Sequence, residues 1–319
     1  MFKKIIEEIE NQPPKILVIG DLMLDKFIFG SVERISPEAP VPIVKYKGAK
    51  HMLGGCGNVI RNLYNLGVKT SLVSVVGRDQ AGDLIIDLLV DKKISVSRVL
   101  RQKDIRTTEK MRVVAERQQV LRLDWDMEDS KIEYENLLIE NISKEMEDID
   151  GLIISDYGKG VCLESIIRNF IDIAKKRKLP VYVDPKGNDW GKYSNANLIT
   201  PNSKEAEMIL DRSIKTDREF EIAGEDICSI FNIESCLITR GGDGMSFISK
   251  NNTFHLKSKA QEIFDVSGAG DTVISVMATG LSLGLNPKLS AEFSNQAAGI
   301  VVGHIGTSAI TIKELLDSN

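Results

Sequence analysis

One stretch of the chain, 265–272, carries residue types that could transfer a phosphoryl group. It reads DVSGAGDT and precedes an apolar run of small residues, 273–283, that is typical of a buried helix. Gly268 and Gly270 permit a tight turn that presents backbone N–H groups at a helix N-terminus, where anions bind favourably. Asp271 would repel such an anion unless it accepts a proton from an attacking hydroxyl, so the pattern predicts a general base, with simple helix capping as the alternative.

A second group of acids follows the first apolar segment. Residues 16–19 predict a parallel strand buried on both faces, and GDLMLD comes next, with Asp21 and Asp25. Functional groups collect at the carboxyl ends of parallel strands, so both carboxylates could accept hydrogen bonds from ligand hydroxyls. Turn chemistry explains either acid equally well when it is taken alone.

A glycine-rich segment opens the next helical pattern, which covers 59–67. Gly54 and Gly55 permit a close approach of the backbone to a ligand, and the amide of Asn58 can donate to and accept from a sugar hydroxyl. Glycines at helix starts are also common in α/β proteins without any ligand, so both interpretations stay open.

Two later strand ends pair an acid with a lysine. Asp156 and Lys159 follow the predicted strand 151–155, and Asp184 and Lys186 follow 181–183. This arrangement would place cations near a phosphate and carboxylates near hydroxyls or magnesium-bound water. Surface salt bridges account for each pair in isolation.

Two further strand ends suit a nucleotide. After 198–200, Asn202 predicts a helix cap with Glu205 in the first turn, an arrangement that can be purely structural. After 236–239, the glycine-rich turn TRGGDG could pack against a nucleotide or close a hairpin. The small-residue segment 295–307 is more typical of core packing than of a site.

The elements that position these residues alternate between strands and helices. With 319 residues, 42% hydrophobic and 27% charged, the chain predicts a self-sufficient α/β domain. The alternation predicts a doubly wound parallel sheet with right-handed crossovers, and no boundary divides 1–319 into two domains. Segments of about 26–50 and 107–126 contain short strand patterns without crossover helices, so we expect them to form a small β lid.

Composition excludes several classes of protein. A net charge of −5 without a long basic block argues against nucleic acid as a partner. Dispersed cysteines and three histidines argue against a zinc site or disulfide framework. No segment is long and apolar enough to span a membrane and the first residues lack a signal pattern, so a cytoplasmic enzyme is expected. The glycines of 77–82 lack the Lys-Ser/Thr of a P-loop, and GD at 20–21 lacks a following GxGxxG, which disfavours a Rossmann dehydrogenase.

Taken in order, GDLMLD, GGCGN, VGRDQAG, PNSKE, TRGGDG and DVSGAGDT resemble the motifs of ribokinase-like (PfkB) carbohydrate kinases over nearly the whole chain. Within that family, ISPEAPVP, RQQVLRLDWD, SDYGKG and DPKG are most similar to kinases of D-glycero-β-D-manno-heptose 7-phosphate. The resemblance implies ATP-dependent phosphorylation of the anomeric C1 hydroxyl, which gives the 1,7-bisphosphate. This product would serve the biosynthesis of ADP-heptose, a precursor of lipopolysaccharide.

The resemblance also implies roles for individual residues. Asp271 matches the base, and the amides of Gly268, Ala269 and Gly270 match an anion hole. The nucleotide side comprises Asn202, Ser203, Lys204, Glu205, Thr239, Gly241, Gly242 and Gly244. The sugar side comprises Asp21, Asp25, Gly54, Gly55 and Asn58, with Asp156, Lys159, Asp184 and Lys186 as further candidate substrate contacts. ATP and Mg²⁺ are the implied cofactors, and Glu205 would hold Mg²⁺ through water. Asp265 lies in the loop where many members of the family bind a monovalent cation, for which K⁺ is the candidate.

Some features depart from the resemblance. It covers the kinase half of a bifunctional enzyme, so we expect the nucleotidyltransferase to be a separate protein. Glu116-Arg117 replaces an expected Arg-Asn near the sugar, which leaves Lys159, Lys186, Arg78 and Arg112 as alternative cations for the 7-phosphate.

Two rival functions remain open: a kinase of another sugar, such as a fructokinase or ribokinase, and a sugar-phosphate-binding relative without catalysis. An exposed strand edge on the lid predicts a homodimer formed through it.

Overall fold

A computed structural model describes residues 2–116, 118–126, 134–260, 263–304 and 306–318 of the chain. Its centre is a nine-stranded sheet with the order β13-β12-β11-β10-β9-β8-β1-β4-β5. The parallel strands are β1 (Lys15–Gly20), β4 (Lys69–Gly77), β5 (Val99–Gln102), β8 (Gly151–Ser155), β9 (Val181–Asp184), β10 (Leu198–Ile199) and β11 (Ser235–Thr239). Two antiparallel strands, β12 (Met245–Ser249) and β13 (Thr253–Leu256), complete one edge.

Helices cover both faces of this sheet. One face packs against α1 (Phe2–Asn11), α2 (Cys56–Asn65), α3 (Gln80–Asp91), α8 (Ala269–Ser282), α9 (Pro287–Val301) and α10 (Ile312–Asp317). The other packs against α4 (Glu135–Glu145), α5 (Glu164–Arg177), α6 (Ser203–Leu210) and α7 (Asp217–Ile230). The sequence of β1 is continuously apolar because the strand is buried on both faces of the sheet. Val18 packs in the core on one face and Ile19 in the core on the other.

A second, four-stranded sheet stands beside the first in the order β3-β2-β6-β7. Its strands are β2 (Leu22–Ile35), β3 (Pro42–Gly55), β6 (Thr108–Ala115) and β7 (Gln118–Trp125), and we call it the small sheet. Strand β2 pairs antiparallel with β3 and parallel with β6, and β6 pairs antiparallel with β7. The β2–β3 pairing begins at Leu22 opposite Gly55, so the small sheet starts one residue after Asp21.

The predicted fold class is confirmed, with some differences in detail. The α/β sheet is doubly wound and mostly parallel, and a smaller sheet accompanies it. The antiparallel pair β12 and β13 was not predicted as part of the main sheet, although a hairpin at TRGGDG was one alternative. Strands β2 and β3 also extend beyond the predicted segment 26–50, because their ladder continues to the edge of the main sheet. None of the helices in the described part of the chain is long and apolar enough to cross a membrane.

Candidate active site

Asp271 lies in the first turn of α8 with its side chain only 2% exposed. The amide of Asn58 donates to its Oδ2 at 2.9 Å, and the hydroxyl of Tyr157 donates to its Oδ1 at 2.8 Å. Burial raises the pKa of Asp271 to about 6, the two hydrogen bonds oppose that rise, and the charge of Asp25 adds to it. The carboxylate therefore contacts side chains from two other elements, and no side-chain bond caps α8, so capping is not its role.

The turn before Asp271 depends on a glycine. Gly268 has φ of 82°, and a Cβ there would lie 2.5 Å from the Asn58 amide nitrogen. A Cβ on Gly270 would meet open space, so its backbone is accessible from the cavity side. The N–H of Ala269, one of the amides predicted to form the anion hole, donates to the carbonyl of Val266 at 3.3 Å.

Asp25 lies on β2, next to the base, and is 4% exposed. Arg112 of β6 donates to its Oδ1 at 2.6 Å, and the hydroxyl of Thr307 donates to its Oδ2 at 2.9 Å. A Cβ on Gly54 would lie 2.4 Å from Oδ2, which explains the glycine in the neighbouring strand. Gly55, with φ of 58°, makes the turn from β3 into α2 and so positions Asn58.

Asp21, predicted as a sugar contact, is bonded to the protein backbone. Its carboxylate accepts hydrogen bonds from three backbone amides, those of Tyr157 (2.8 Å), Lys159 (3.1 Å) and Val161 (2.9 Å). Burial and the nearby Asp156 raise the pKa of Asp21 to about 6, while these amides oppose the rise. Asp21 therefore holds the loop that carries Tyr157.

Asp156 and Lys159 are also engaged within the protein. Asp156 accepts from Lys192 at 2.5 Å, from the hydroxyl of Tyr193 at 2.6 Å and from the Gly158 amide at 2.7 Å. Lys159 forms an ion pair with Asp126 at 2.7 Å. Their contacts favour a structural role over the predicted substrate contacts, because each charge already has its partner.

A second acidic group, Asp184 and Glu205, lines a cavity together with Gly270. Lys186 donates to Oε1 of Glu205 at 2.9 Å. The other oxygen, Oε2, accepts a hydrogen bond from the backbone N–H of Asn202 at 3.0 Å in the predicted capping box. Asp184 is nearby, and burial raises its pKa well above the usual range, with the charges of Asp271 and Glu205 adding to the rise. Two carboxylates under mutual repulsion beside a cavity of about 160 Å³ suit a hard divalent cation such as Mg²⁺.

A larger cavity of about 320 Å³ continues from there. It shares Asn202, Thr239 and Gly270 with the smaller one, and the turn residues Gly241, Gly242 and Gly244 line it. Its opposite wall comes from α9, including Asn295, Ala298 and Gly299. Gly244 is required by its φ of 93° and by the Leu256 carbonyl, which would lie 1.9 Å from a Cβ.

Three residues predicted to contact the nucleotide or a cation, Ser203, Lys204 and Asp265, do not line the two cavities described above. The hydroxyl of Ser203 donates to the Thr239 carbonyl at 3.1 Å, and Lys204 is exposed on α6. Asp265 accepts from the amides of Ser267 (2.9 Å) and Gly306 (3.1 Å), which ties the 265–272 loop to the C-terminal turn. Arg117, part of a predicted departure near the sugar, lies outside the described residues.

Another, more voluminous cavity lies elsewhere in the described part of the molecule. It measures about 840 Å³ and opens beside Pro180, Asn195 and Cys228, and none of the candidate residues lines it. Volume alone is therefore a poor guide to the site, and the convergence of carboxylates and glycine turns carries more weight.

Comparison with known proteins identifies the family. Residues 13–314 match the model of the pfkB family carbohydrate kinases. The chain belongs to that family. It is a sugar kinase.

Curated relatives within the pfkB family are bifunctional proteins. The chain is 40% identical over 308 residues to "Bifunctional protein HldE" of Aliarcobacter butzleri, covering 96% of this chain and 64% of that protein. It is 39% identical over 320 residues to the protein of the same name from Geotalea uraniireducens, covering 99% and 65%. The chain therefore spans a little under two thirds of the length of these relatives.

Solved structures share the fold at low identity. Phosphofructokinase-2 of Escherichia coli in complex with potassium superimposes with a TM-score of 0.81 at 19% identity, covering 96% of this chain and 98% of that one. Arabidopsis thaliana ribokinase complexed with ribose and ATP gives 0.76 at 17% identity, covering 96% and 99%.

Some residues of this pfkB kinase's candidate site escaped prediction. Tyr157 lies within the SDYGKG motif, but nothing in the sequence places its hydroxyl on Asp271. Thr307 and the α9 wall come from the segment that was interpreted as core packing. The Tyr157–Asp271 and Thr307–Asp25 contacts join residues 114 and 282 positions apart in the chain, and local patterns do not encode such contacts.

Proposed function

We propose that this chain transfers the γ-phosphoryl group of ATP to the C1 hydroxyl of D-glycero-β-D-manno-heptose 7-phosphate. The observation that carries the proposal is the placement of Asp271. It is buried, is held by hydrogen bonds from Asn58 and Tyr157, and directly follows Gly270, which lines both cavities. A carboxylate with a pKa of about 6 is ionised at neutral pH and can take a proton from a hydroxyl.

The sugar side of the proposal rests on Asp25 and Asn58. Asp25 is buried close enough to Asp271 for its charge to raise the pKa of that carboxyl, and its two oxygens accept hydrogen bonds from Arg112 and Thr307. The Oδ1 atom of Asn58 is buried and has no hydrogen-bond partner among the described residues, so it offers an acceptor for a substrate hydroxyl. Asp21, Asp156 and Lys159 support the loop under this pocket, and the contacts favour that role for them.

The nucleotide side rests on the acidic pair and the glycine turn. ATP would supply the electrophilic phosphoryl group, and the Mg²⁺ bound with it would neutralise the negative charge of the phosphates. Glu205 and Asp184 are the candidate residues for holding Mg²⁺, directly or through water. The backbone of Thr239 and of the turn from Gly241 to Gly244 could contact the nucleotide. The backbone N–H groups of Gly268 and Gly270 lie at the N-terminus of α8, the positive end of the helix dipole. Asp265 keeps its role as a candidate near a K⁺ site, which the potassium complex of phosphofructokinase-2 supports by analogy only.

The choice of sugar rests on motifs. The stretches ISPEAPVP and SDYGKG resemble heptose-7-phosphate kinases, and the similarity to relatives named HldE supports that choice. A kinase of another sugar is the second candidate, favoured by the fold shared with ribokinase and phosphofructokinase-2.

A substrate panel tests the proposal. Purified protein is incubated with ATP, Mg²⁺ and one acceptor at a time: heptose 7-phosphate, fructose, fructose 6-phosphate or ribose. ADP release is measured by a coupled assay and the product by ³¹P NMR. We expect the heptose 7-phosphate to give the highest kcat/KM and an anomeric phosphate. A higher kcat/KM for fructose or ribose would contradict the sugar, and absence of ADP release with every acceptor would contradict catalysis.

A further inference from the structure

Arg240 begins the glycine turn that lines the larger cavity, although its own side chain is not part of the cavity wall. The backbone N–H of Arg240 donates to the carbonyl of Gly244 at 2.8 Å, and the N–H of Asp243 donates to the carbonyl of Arg240 at 3.1 Å. The backbone of Arg240 therefore closes the turn at both ends. Contacts that fix its side chain also fix the position of the turn.

The side chain of Arg240 is held against α7. Its guanidinium donates to Asp217 at 2.6 Å, and its central carbon lies 4.4 Å from the centre of the Phe220 ring. Residues three apart on a helix share a face, so both contacts come from one side of α7. A carboxylate and the face of a buried ring each attract a guanidinium, so α7 fixes the arginine from two directions.

A chain of hydrogen bonds leads from Arg240 back to the same helix. Arg240 donates to the hydroxyl of Ser246 on β12 at 3.1 Å, and that hydroxyl lies 2.8 Å from Nδ1 of His255, its register partner on β13. The Nε2 atom of His255 lies 3.2 Å from a carboxylate oxygen of Glu221 on α7. Because arginine can only donate, the hydroxyl accepts from it and donates to a neutral imidazole, whose Nε2–H then donates to Glu221. These contacts join the turn, the β12–β13 pair and α7 in a closed ring.

The burial of this guanidinium is not explained by stability alone. Its side chain is 12% exposed, and its Nε is buried without a hydrogen-bond partner among the described residues, which is destabilising. The packing of α7 on β12 has an apolar basis of its own, since a Cβ on Gly224 would lie 2.6 Å from the side chain of Ile248. Arg240 therefore calls for another explanation, and the adjoining turn provides one.

We propose that Arg240 is a positioning residue for the nucleotide, because its contacts with Asp217, Phe220 and Ser246 hold the turn 241–244 in the shape that receives ATP. The inference rests on the proposed function, since it takes the cavity beside this turn as the nucleotide site. It adds that the affinity for ATP depends on side chains outside that cavity. The sugar side is built on β2 and α2, so acceptor binding should not depend on Arg240.

Nucleotide titrations without any sugar test this inference. ADP with Mg²⁺ is titrated into wild type and variants by isothermal calorimetry. We expect Arg240→Gln to raise the Kd about tenfold and Asp217→Asn, whose side chain is 61% exposed and outside the core, about threefold. Arg240→Lys keeps the charge and should recover part of the affinity. Arg212→Gln is the matched control, because Arg212 bonds Asp226 of α7 at 2.7 Å, and it should bind ADP as wild type does.

A variant of the turn itself separates this inference from the proposed nucleotide site. Gly242 lines the cavity and a Cβ there would meet open space, so Gly242→Val adds a side chain to the cavity wall and should weaken ADP binding. Weaker binding in Gly242→Val with wild-type binding in Arg240→Gln would overturn the positioning role and leave the nucleotide site intact. Wild-type binding in both variants would contradict the site as well.

Steady-state kinetics distinguish positioning from a general structural role. Arg240→Gln should raise KM for ATP by about the same factor as the Kd for ADP, with KM for the sugar acceptor unchanged. An equal rise in both KM values, or a lower melting temperature without weaker nucleotide binding, would assign Arg240 a structural role only and overturn the inference.

Discussion

Asp271 has properties that link its surroundings to activity. Its pKa is raised to about 6 by burial, so the carboxylate becomes protonated as pH falls through that value. A protonated carboxyl cannot accept the substrate proton. We therefore expect kcat/KM to fall as pH decreases through about 6 and to level off above it. A pH profile of the wild-type enzyme with a fixed Mg²⁺ concentration checks this, and a rate independent of pH between 5 and 8 would contradict it.

Tyr157 sets the basicity of that carboxylate through its hydrogen bond. The bond favours the ionised form of Asp271, so its removal in Tyr157→Phe should raise the Asp271 pKa. The acid limb of the pH profile should then move to higher pH, by about one unit for a bond of ordinary strength. Tyr193→Phe is a matched control, because that hydroxyl binds Asp156 instead. A loss of rate in Tyr157→Phe without a shift in the profile would assign Tyr157 a structural role only.

Individual residues were predicted unevenly from the sequence. Asp271 could be proposed as the base from sequence because its motif is local: two glycines and an apolar run lie next to one another in the chain. Asp21 and Asp25 have similar sequence surroundings, but Asp21 accepts hydrogen bonds from backbone amides and Asp25 accepts them from Arg112 and Thr307. Neither the Tyr157 bond nor the Thr307 bond is encoded locally, because each depends on how distant elements pack.

At the scale of elements, the start of α8 depends on one glycine more than on the other. Gly268→Ala would place a Cβ 2.5 Å from the Asn58 nitrogen at a φ of 82°, so Asn58 must move away from Asp271. We expect a loss of about 1–3 kcal/mol in the free energy of unfolding and a strong loss of activity. Chemical denaturation and the kinase assay measure the two effects.

Gly270→Ala is the matched control for stability. Its Cβ would meet open space, and alanine is the better helix former, so unfolding should be unchanged or slightly harder. Equal destabilisation by both substitutions would show that the contact with Asn58 is not what requires glycine at 268.

The strands of the main sheet were largely predictable, since buried parallel strands are continuously apolar. The predicted segment 151–155 coincides with β8, and the predicted 16–19 lies inside β1. The small sheet was harder, because its strands lack a regular alternation of buried and exposed residues and its pairing joins β2 to β6 across some eighty positions. A linear sequence does not show which strand pairs with which over such a separation.

At the scale of the whole molecule, the small sheet leaves apolar side chains exposed. Tyr46 is 66% exposed, Ile35 60% and Val41 51% on or beside β3, and Leu121 and Leu123 are exposed on β7. Such a surface on an open strand edge favours association, so we propose a homodimer through the small sheet. Sedimentation velocity should show a dimer at micromolar concentration and a shift to monomer in Tyr46→Glu. A wild-type monomer at every concentration would refute this.

If Asp271 removes the proton from the sugar hydroxyl, Asp271→Asn should lose most of the phosphoryl-transfer rate. The amide keeps the shape of the side chain and removes the base. It also removes a carboxylate whose ionised form is disfavoured by burial, so the variant should stay folded at neutral pH. The measurement is single-turnover phosphoryl transfer at saturating ATP and heptose 7-phosphate. We predict a rate lower by a factor on the order of 10² to 10⁴ with sugar affinity retained. A rate close to that of the wild type would show that Asp271 is not the base.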